Sequence, residues 1–271
     1  MMTLSRAALI LGLLLNLGGL LGPRLANAEG RFEASRAESG SRKLVLGGLF
    51  GPRLFPWQTD SSRVPALTTE QLGVNLARKA RGLSPEVATM ALRASSCAAS
   101  QGRSPRARYL AIIDYSKPST LPRFWLFDAL AERLLEQSYV AHGRNSGELF
   151  ATDFSNKPGS LQSSLGLFFA DEPYLGQHGR SLRLQGLEPN FNDKAYDRAI
   201  VMHGADYVSD SFISKHNRLG RSLGCPALPL RIADRAITTL EQGAYLFAYY
   251  PNDRYLSSSR LLNCQRQRAR A

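Results

Sequence analysis

Histidine and cysteine are scarce in this chain, at four and three among 271 residues. No two of them stand at a C-x-x-C or H-x-x-x-H spacing, so a zinc site built on local ligand pairs is not expected, and neither a metal nor a cofactor is called for. Three cysteines, Cys97, Cys225 and Cys264, cannot all pair. Any single disulfide leaves one thiol over; if Cys225 is a nucleophile, Cys97 and Cys264 either bridge or stay separately buried. Repeats are almost absent too. The phrase Leu17–Leu25 returns at Leu46–Leu54 with one change, a local duplication too short for a solenoid.

Long apolar runs are missing except at the start. Arg6 precedes an apolar stretch from Ala7 to Leu21, and Ala26-Asn-Ala28 follows with small residues at signal-peptidase positions. The run falls short of the ~20 residues a membrane span needs, so it reads as a secretory signal cleaved after Ala28. Export places the chain in the periplasm or cell envelope. Losing Arg6 and Arg24 with the leader lowers the formal charge from +12 to +10. An exported protein meets no nucleic acid, so this excess suits non-specific attraction to an anionic envelope surface. Nothing in the pattern speaks to oligomeric state.

Apolar types make up 44% of the chain, enough for one sizeable core. Residues 29–69 lack periodicity and read as a tether. Residues 70–105 read as a helical segment: a short helix from Thr68, then a firmer one capped by Ser84, with Pro85 at its first position and Glu86 beside the positive end of the dipole. From 106 to 262 the grammar is β. Tyr109–Tyr115 and Arg123–Asp128 suggest a hairpin, and further strands are expected at Ser138–His142, Leu165–Ala170, Ser181–Leu187, Ala199–Met202 and Ala244–Tyr250, the last closing the sheet. Ile232–Gln242 reads as a helix stopped by Gly243. The loop 143–164 is long enough to suggest function. Residues 263–271 form a basic tail. The sum is a mainly β fold, a sandwich or open barrel with one or two packed helices and an N-terminal helical appendage.

The residues that carry chemistry lie between Ile200 and Leu228. An apolar strand ends at His203-Gly204, and about twenty residues on Gly220-Arg-Ser222-Leu-Gly224-Cys225-Pro226 presents a cysteine in a small-residue turn. A thiol nucleophile needs a base such as His203, a glycine that admits a substrate carbonyl, and N–H groups facing the developing oxyanion. Ser222 and Gly224 are the candidates for ordering the turn and for the oxyanion site. Arg221 is a candidate for charge near the thiol. His142-Gly-Arg144 and His178-Gly-Arg180 are two similar phrases at predicted strand ends; His142, Arg144 and Arg180 are candidates for binding substrate carboxylates through the guanidinium fork.

His203-Gly followed by Gly-x-Ser-x-Gly-Cys225 resembles the signature of the L,D-transpeptidase (YkuD-like) catalytic domain. The text at Val140–Gly147, Gly179–Leu187 and Arg198–Ala205 is similar to its murein L,D-transpeptidase branch, and the likeness runs from roughly Leu83 to Leu262. It implies Cys225 as nucleophile, His203 as base, a β catalytic domain with the cysteine at a cleft mouth, and tetrapeptide stems of peptidoglycan as substrate. These would be cross-linked, or would release D-Ala, through a thioester. Better-known members carry Ser-His-Gly-Cys and an arginine two positions on; here Leu223 and Ala227 stand instead. That departure keeps two alternatives open: a non-catalytic peptidoglycan-binding envelope protein, or a wall-directed cysteine L,D-carboxypeptidase or endopeptidase.

Overall fold

The computed structural model describes residues 67–103 and 108–264. The expected leader, most of the tether and the end of the basic tail lie outside them. The chain opens with two packed helices, α1 (Thr69–Lys79) and α2 (Pro85–Ser100). Thr68 and Gln71 form a reciprocal capping box, and Ser84 Oγ accepts from Val87 N. These helices pack onto the sheet: Leu76, Leu83, Val87, Ala91 and Ala94 belong to the same buried cluster as the strands.

Eight strands follow: β1 (Tyr109–Asp114), β2 (Phe124–Asp128), β3 (Arg133–Ser138), β4 (Gly166–Gly176), β5 (Gly179–Gly186), β6 (Val201–Ala205), β7 (Ala227–Pro229) and β8 (Tyr245–Tyr249). They form one sheet in the order β3-β2-β1-β8-β4-β5-β6-β7. Beyond β3, Ala141 bridges Ala227 of β7, so the first and last strands in the order meet and the sheet curls almost closed. The mainly β, barrel-like expectation holds.

Several details differ from the reading of the sequence. β8 does not close the sheet; it sits mid-sheet, parallel to β1 and antiparallel to β4. Its unbroken Tyr-Leu-Phe-Ala-Tyr run suits a strand covered on both faces. The third strand lies earlier than Ser138–His142, because Glu132 turns with φ 47° and sends Arg133 directly back along β2. Leu165–Ala170 and Ser181–Leu187 are parts of one long hairpin, β4–β5, whose tip is Gln177-His178. Besides α4 (Leu230–Leu240), two short helices appear: α3 (Asp210–His216), capped by Ser209, and α5 (Asp253–Ser258), capped by Asn252. Both are too short for hydrophobic periodicity to announce them.

Cys97 of α2 is disulfide-bonded to Cys264, across a sequence separation of 167. The bond ties the helical pair to the segment after α5 and leaves Cys225 as the free thiol. Nearby, the buried Glu188 accepts from Leu167 N, Tyr255 Oη and Ser259 Oγ, fastening β4 to α5. Closing so long a loop restricts the unfolded chain more than the folded one. Cys264→Ala, or reduction, is therefore expected to lower stability by about 2–5 kcal/mol in urea unfolding followed by tryptophan fluorescence.

Candidate active site

β6 carries the imidazole. Ile200 and Met202 enter the main core, whereas Ala205 packs on the other face with Ala141, Val208, Leu219 and Ala227. By alternation His203 points to that second face. It lies inside the strand rather than at its end, paired in register with Ser181 of β5 and Ala227 of β7. Gly204 admits α4: a Cβ there would stand 3.0 Å from Ala233 Cβ and 3.1 Å from Leu230 Cδ2. The Gly204 carbonyl lies 3.0 Å from His203 Nδ1. That contact assigns the proton to Nδ1, which donates to the carbonyl and leaves Nε2 as an acceptor.

The turn before β7 carries the thiol. Ser222 Oγ donates to Cys225 O at 2.6 Å and accepts from Gly224 N at 3.1 Å. Its own backbone is clamped between His142 O and Arg144 N, at 2.9 and 2.8 Å. Gly224 has φ +124°, and a Cβ on it would lie 2.9 Å from Gln162 O. The Cys225 sulfur rests against the lead-in to β6, 3.4 Å from Val201 N and 3.7 Å from Ala199 O. It therefore sits on the strand that carries His203 two residues further along.

Burial dominates the electrostatics of both groups. It pushes the Cys225 thiol up, opposed by the Val201 N–H and by the charge of Arg198. It pushes His203 down, opposed by the Gly204 carbonyl and aided by His178. Both shifts favour the neutral form of each group.

The remaining sequence candidates divide. Ser222 orders the turn as expected of a hydroxyl at that position. The Gly224 N–H is occupied by Ser222 and so does not face an oxyanion; the Cys225 N–H has no partner among the described residues. His142 is buried, accepts from Arg123 Nη2 at 2.7 Å and is pushed down to about 3 by burial and then by that cation. It stays neutral and buttresses Gly147 O, which does not suit it to hold a carboxylate. Arg180 is held by Asp234, Thr238 and Glu241, all of α4 or its end. Arg221 is held by Glu148 and two carbonyls, those of Arg144 and Gly147. Arg144 is exposed beside the turn with no ion pair among the described residues, so its guanidinium is open to a ligand.

Arg198 is the residue that motif reading missed. Its guanidinium gathers Ser155 O, Ser164 Oγ, Ser160 Oγ and Gln162 O within 2.5–3.2 Å, pinning the 155–164 strap beside Gly224 and bringing a cation near the thiol. Its signal was the lone arginine ahead of an apolar strand. Two clefts of about 560 and 350 Å³ share Phe191 and Arg254, and neither is lined by Cys225 or His203.

A profile of the L,D-transpeptidase catalytic domain matches residues 79–249. The chain belongs to that family. Among solved structures it is similar to an L,D-transpeptidase from Mycobacterium smegmatis at 13% identity and TM-score 0.33, over 53% of this chain and 59% of that one. L,D-transpeptidase 3 from Mycobacterium tuberculosis matches at 9% identity and TM-score 0.30, over 53% and 61%. An L,D-transpeptidase from Stackebrandtia nassauensis matches at 10% and 0.31, over 68% and 92%. The chain thus spans about three-fifths of the length of the first two. No curated protein matches it.

Two results are expected. Alkylation of Cys225 by iodoacetamide, read by intact mass, should accelerate through an inflection above the usual thiol range of about 8.5; an inflection below neutrality would instead reveal a preformed thiolate–imidazolium pair. Gly224→Ala should lower stability by about 1–3 kcal/mol in thermal unfolding and slow that alkylation.

Proposed function

We propose that this family member is an exported peptidoglycan L,D-transpeptidase in which Cys225 is the nucleophile and His203 its base. One observation carries the proposal: the free thiol is seated on the backbone of β6, the strand that bears a histidine whose Nδ1–H is already committed to Gly204 O. His203 Nε2 takes the thiol proton as sulfur attacks the carbonyl between the third and fourth residues of a tetrapeptide stem. The Cys225 N–H faces the tetrahedral oxyanion. Collapse breaks the C–N bond, His203 returns the proton to the departing D-Ala amine, and a thioester remains. An amine of another stem then displaces the sulfur to give a cross-link, or water does so to give a trimmed stem. Arg144 is the cation suited to a stem carboxylate.

Export through a leader cleaved after Ala28 agrees with the Cys97–Cys264 bond, which persists in oxidising compartments. The positive charge suits an anionic envelope surface. A second reading, stem binding without turnover, draws on Leu223, which is exposed, and on Ala227, which is buried where an arginine would otherwise stand.

Intact mass after exposure to a carbapenem separates the two. One acyl adduct is expected on the wild-type chain and none on Cys225→Ala, and His203→Ala should slow acylation about 10²–10⁴-fold. A wild-type chain that stays unmodified and leaves muropeptides unchanged, yet sediments with sacculi, would favour binding alone.

A further inference from the structure

The tip of the β4–β5 hairpin holds a histidine that the mechanism above does not use. His178 is exposed, yet its ring lies flat on buried His203, with centroids 4.4 Å apart and planes at 21°. The approach is held from both flanks. Arg180, two residues on, is ion-paired to Asp234 and Glu241, and Ser181 is in register with His203 across β5 and β6.

The stack bears on how His203 works. Rotation about the bond joining an imidazole to its methylene is soft, with broad wells rather than sharp ones. The Gly204 carbonyl restrains one edge of the His203 ring, and the flat face of His178 restrains the plane. The Gln177 side-chain nitrogen, an amide donor, lies 3.2 Å from His178 Nε2. That contact ties the exposed His178 ring to its own hairpin tip. Two cationic rings at this distance would repel, so a proton on one ring disfavours a proton on the other. The cysteine turn itself brings no second imidazole, since Leu223 there faces solvent.

We infer that His178 is a positioning residue for the transpeptidase dyad, reaching in from a different element to clamp the His203 ring in its plane and to oppose its protonation before attack. The inference rests on the catalytic reading of Cys225 and His203. Other titratable or charged groups near the dyad are Arg198 and Tyr207, both electrostatically linked to Cys225, and Arg180, which is committed to α4.

The test uses the full chain with ¹³C- and ¹⁵N-labelled histidine. The ring of His203 is titrated by NMR in wild type, His178→Ala and His178→Phe, and kcat and KM are measured on a tetrapeptide muropeptide. His178→Ala should move the His203 titration to higher pH and broaden its signals. It should also lower kcat about tenfold with KM changed less than about twofold. His178→Phe keeps a flat ring and should recover kcat to within about threefold of wild type. Unmoved His203 titration and kcat in His178→Ala would overturn the inference. So would a change in KM alone, or a phenylalanine variant as slow as the alanine one. If the wild-type chain turns over no muropeptide, the catalytic reading fails, while the His203 titration still decides whether the stack acts on that ring. His178 is exposed, so both variants should fold with stability within about 0.5 kcal/mol of wild type.

Discussion

A single hydroxyl shapes the cysteine turn. Ser222 Oγ holds the amide two residues ahead of it and the carbonyl three residues ahead, so Gly224 and Cys225 have one arrangement open to them. The left-handed region entered by Gly224 is affordable only without a side chain, and the strap at Gln162 closes the space a side chain would need. With the turn so fixed, the sulfur meets the amide of Val201, with the charge of Arg198 nearby. The chemistry of the site is set by backbone placement before any side-chain pair is considered.

The arginine content finds much of its explanation in the same principle. Arg123 is fully buried without a carboxylate; it donates to Val140 O, Lys117 O and His142, lies over the Tyr115 ring and is pushed down to about 10 by burial. Arg198 gathers two carbonyls and two hydroxyls of the strap. A guanidinium suits this work because five donors in a plane can satisfy several carbonyls that no strand or helix reaches. Long irregular segments such as 143–164 are thus ordered by cations from the turns ahead of β6 and β7, Arg198 and Arg221. Composition alone suggests a charged exterior; the placement of these residues shows struts.

How much of this was legible in the sequence follows from the range of each interaction. The cap at Ser84 is local and was readable, as were the hairpin of β1 and β2 and the family likeness of the text around His203 and Cys225. The central position of β8 was not, because strand order depends on partners more than a hundred residues away. His142 and Arg180 occur in twin His-Gly-Arg phrases and invite one interpretation, but one phrase turns its histidine into the interior and the other its arginine onto α4. Only the fold distinguishes them. The left-handed turn at Glu132 and the Gln177-His178 tip carry no standard turn pair such as Asn-Gly, which is why β3 is expected too late and the strands of the long hairpin too short.

The bridge between Cys97 and Cys264 encloses Cys225 in the chain. In oxidative refolding of the fully reduced chain, Cys97 and Cys225 can also meet. A premature bond between those two would consume the reactive sulfur and bar the helical pair from its seat. Reaching the native connectivity then requires thiol–disulfide exchange, with Cys264 displacing Cys225.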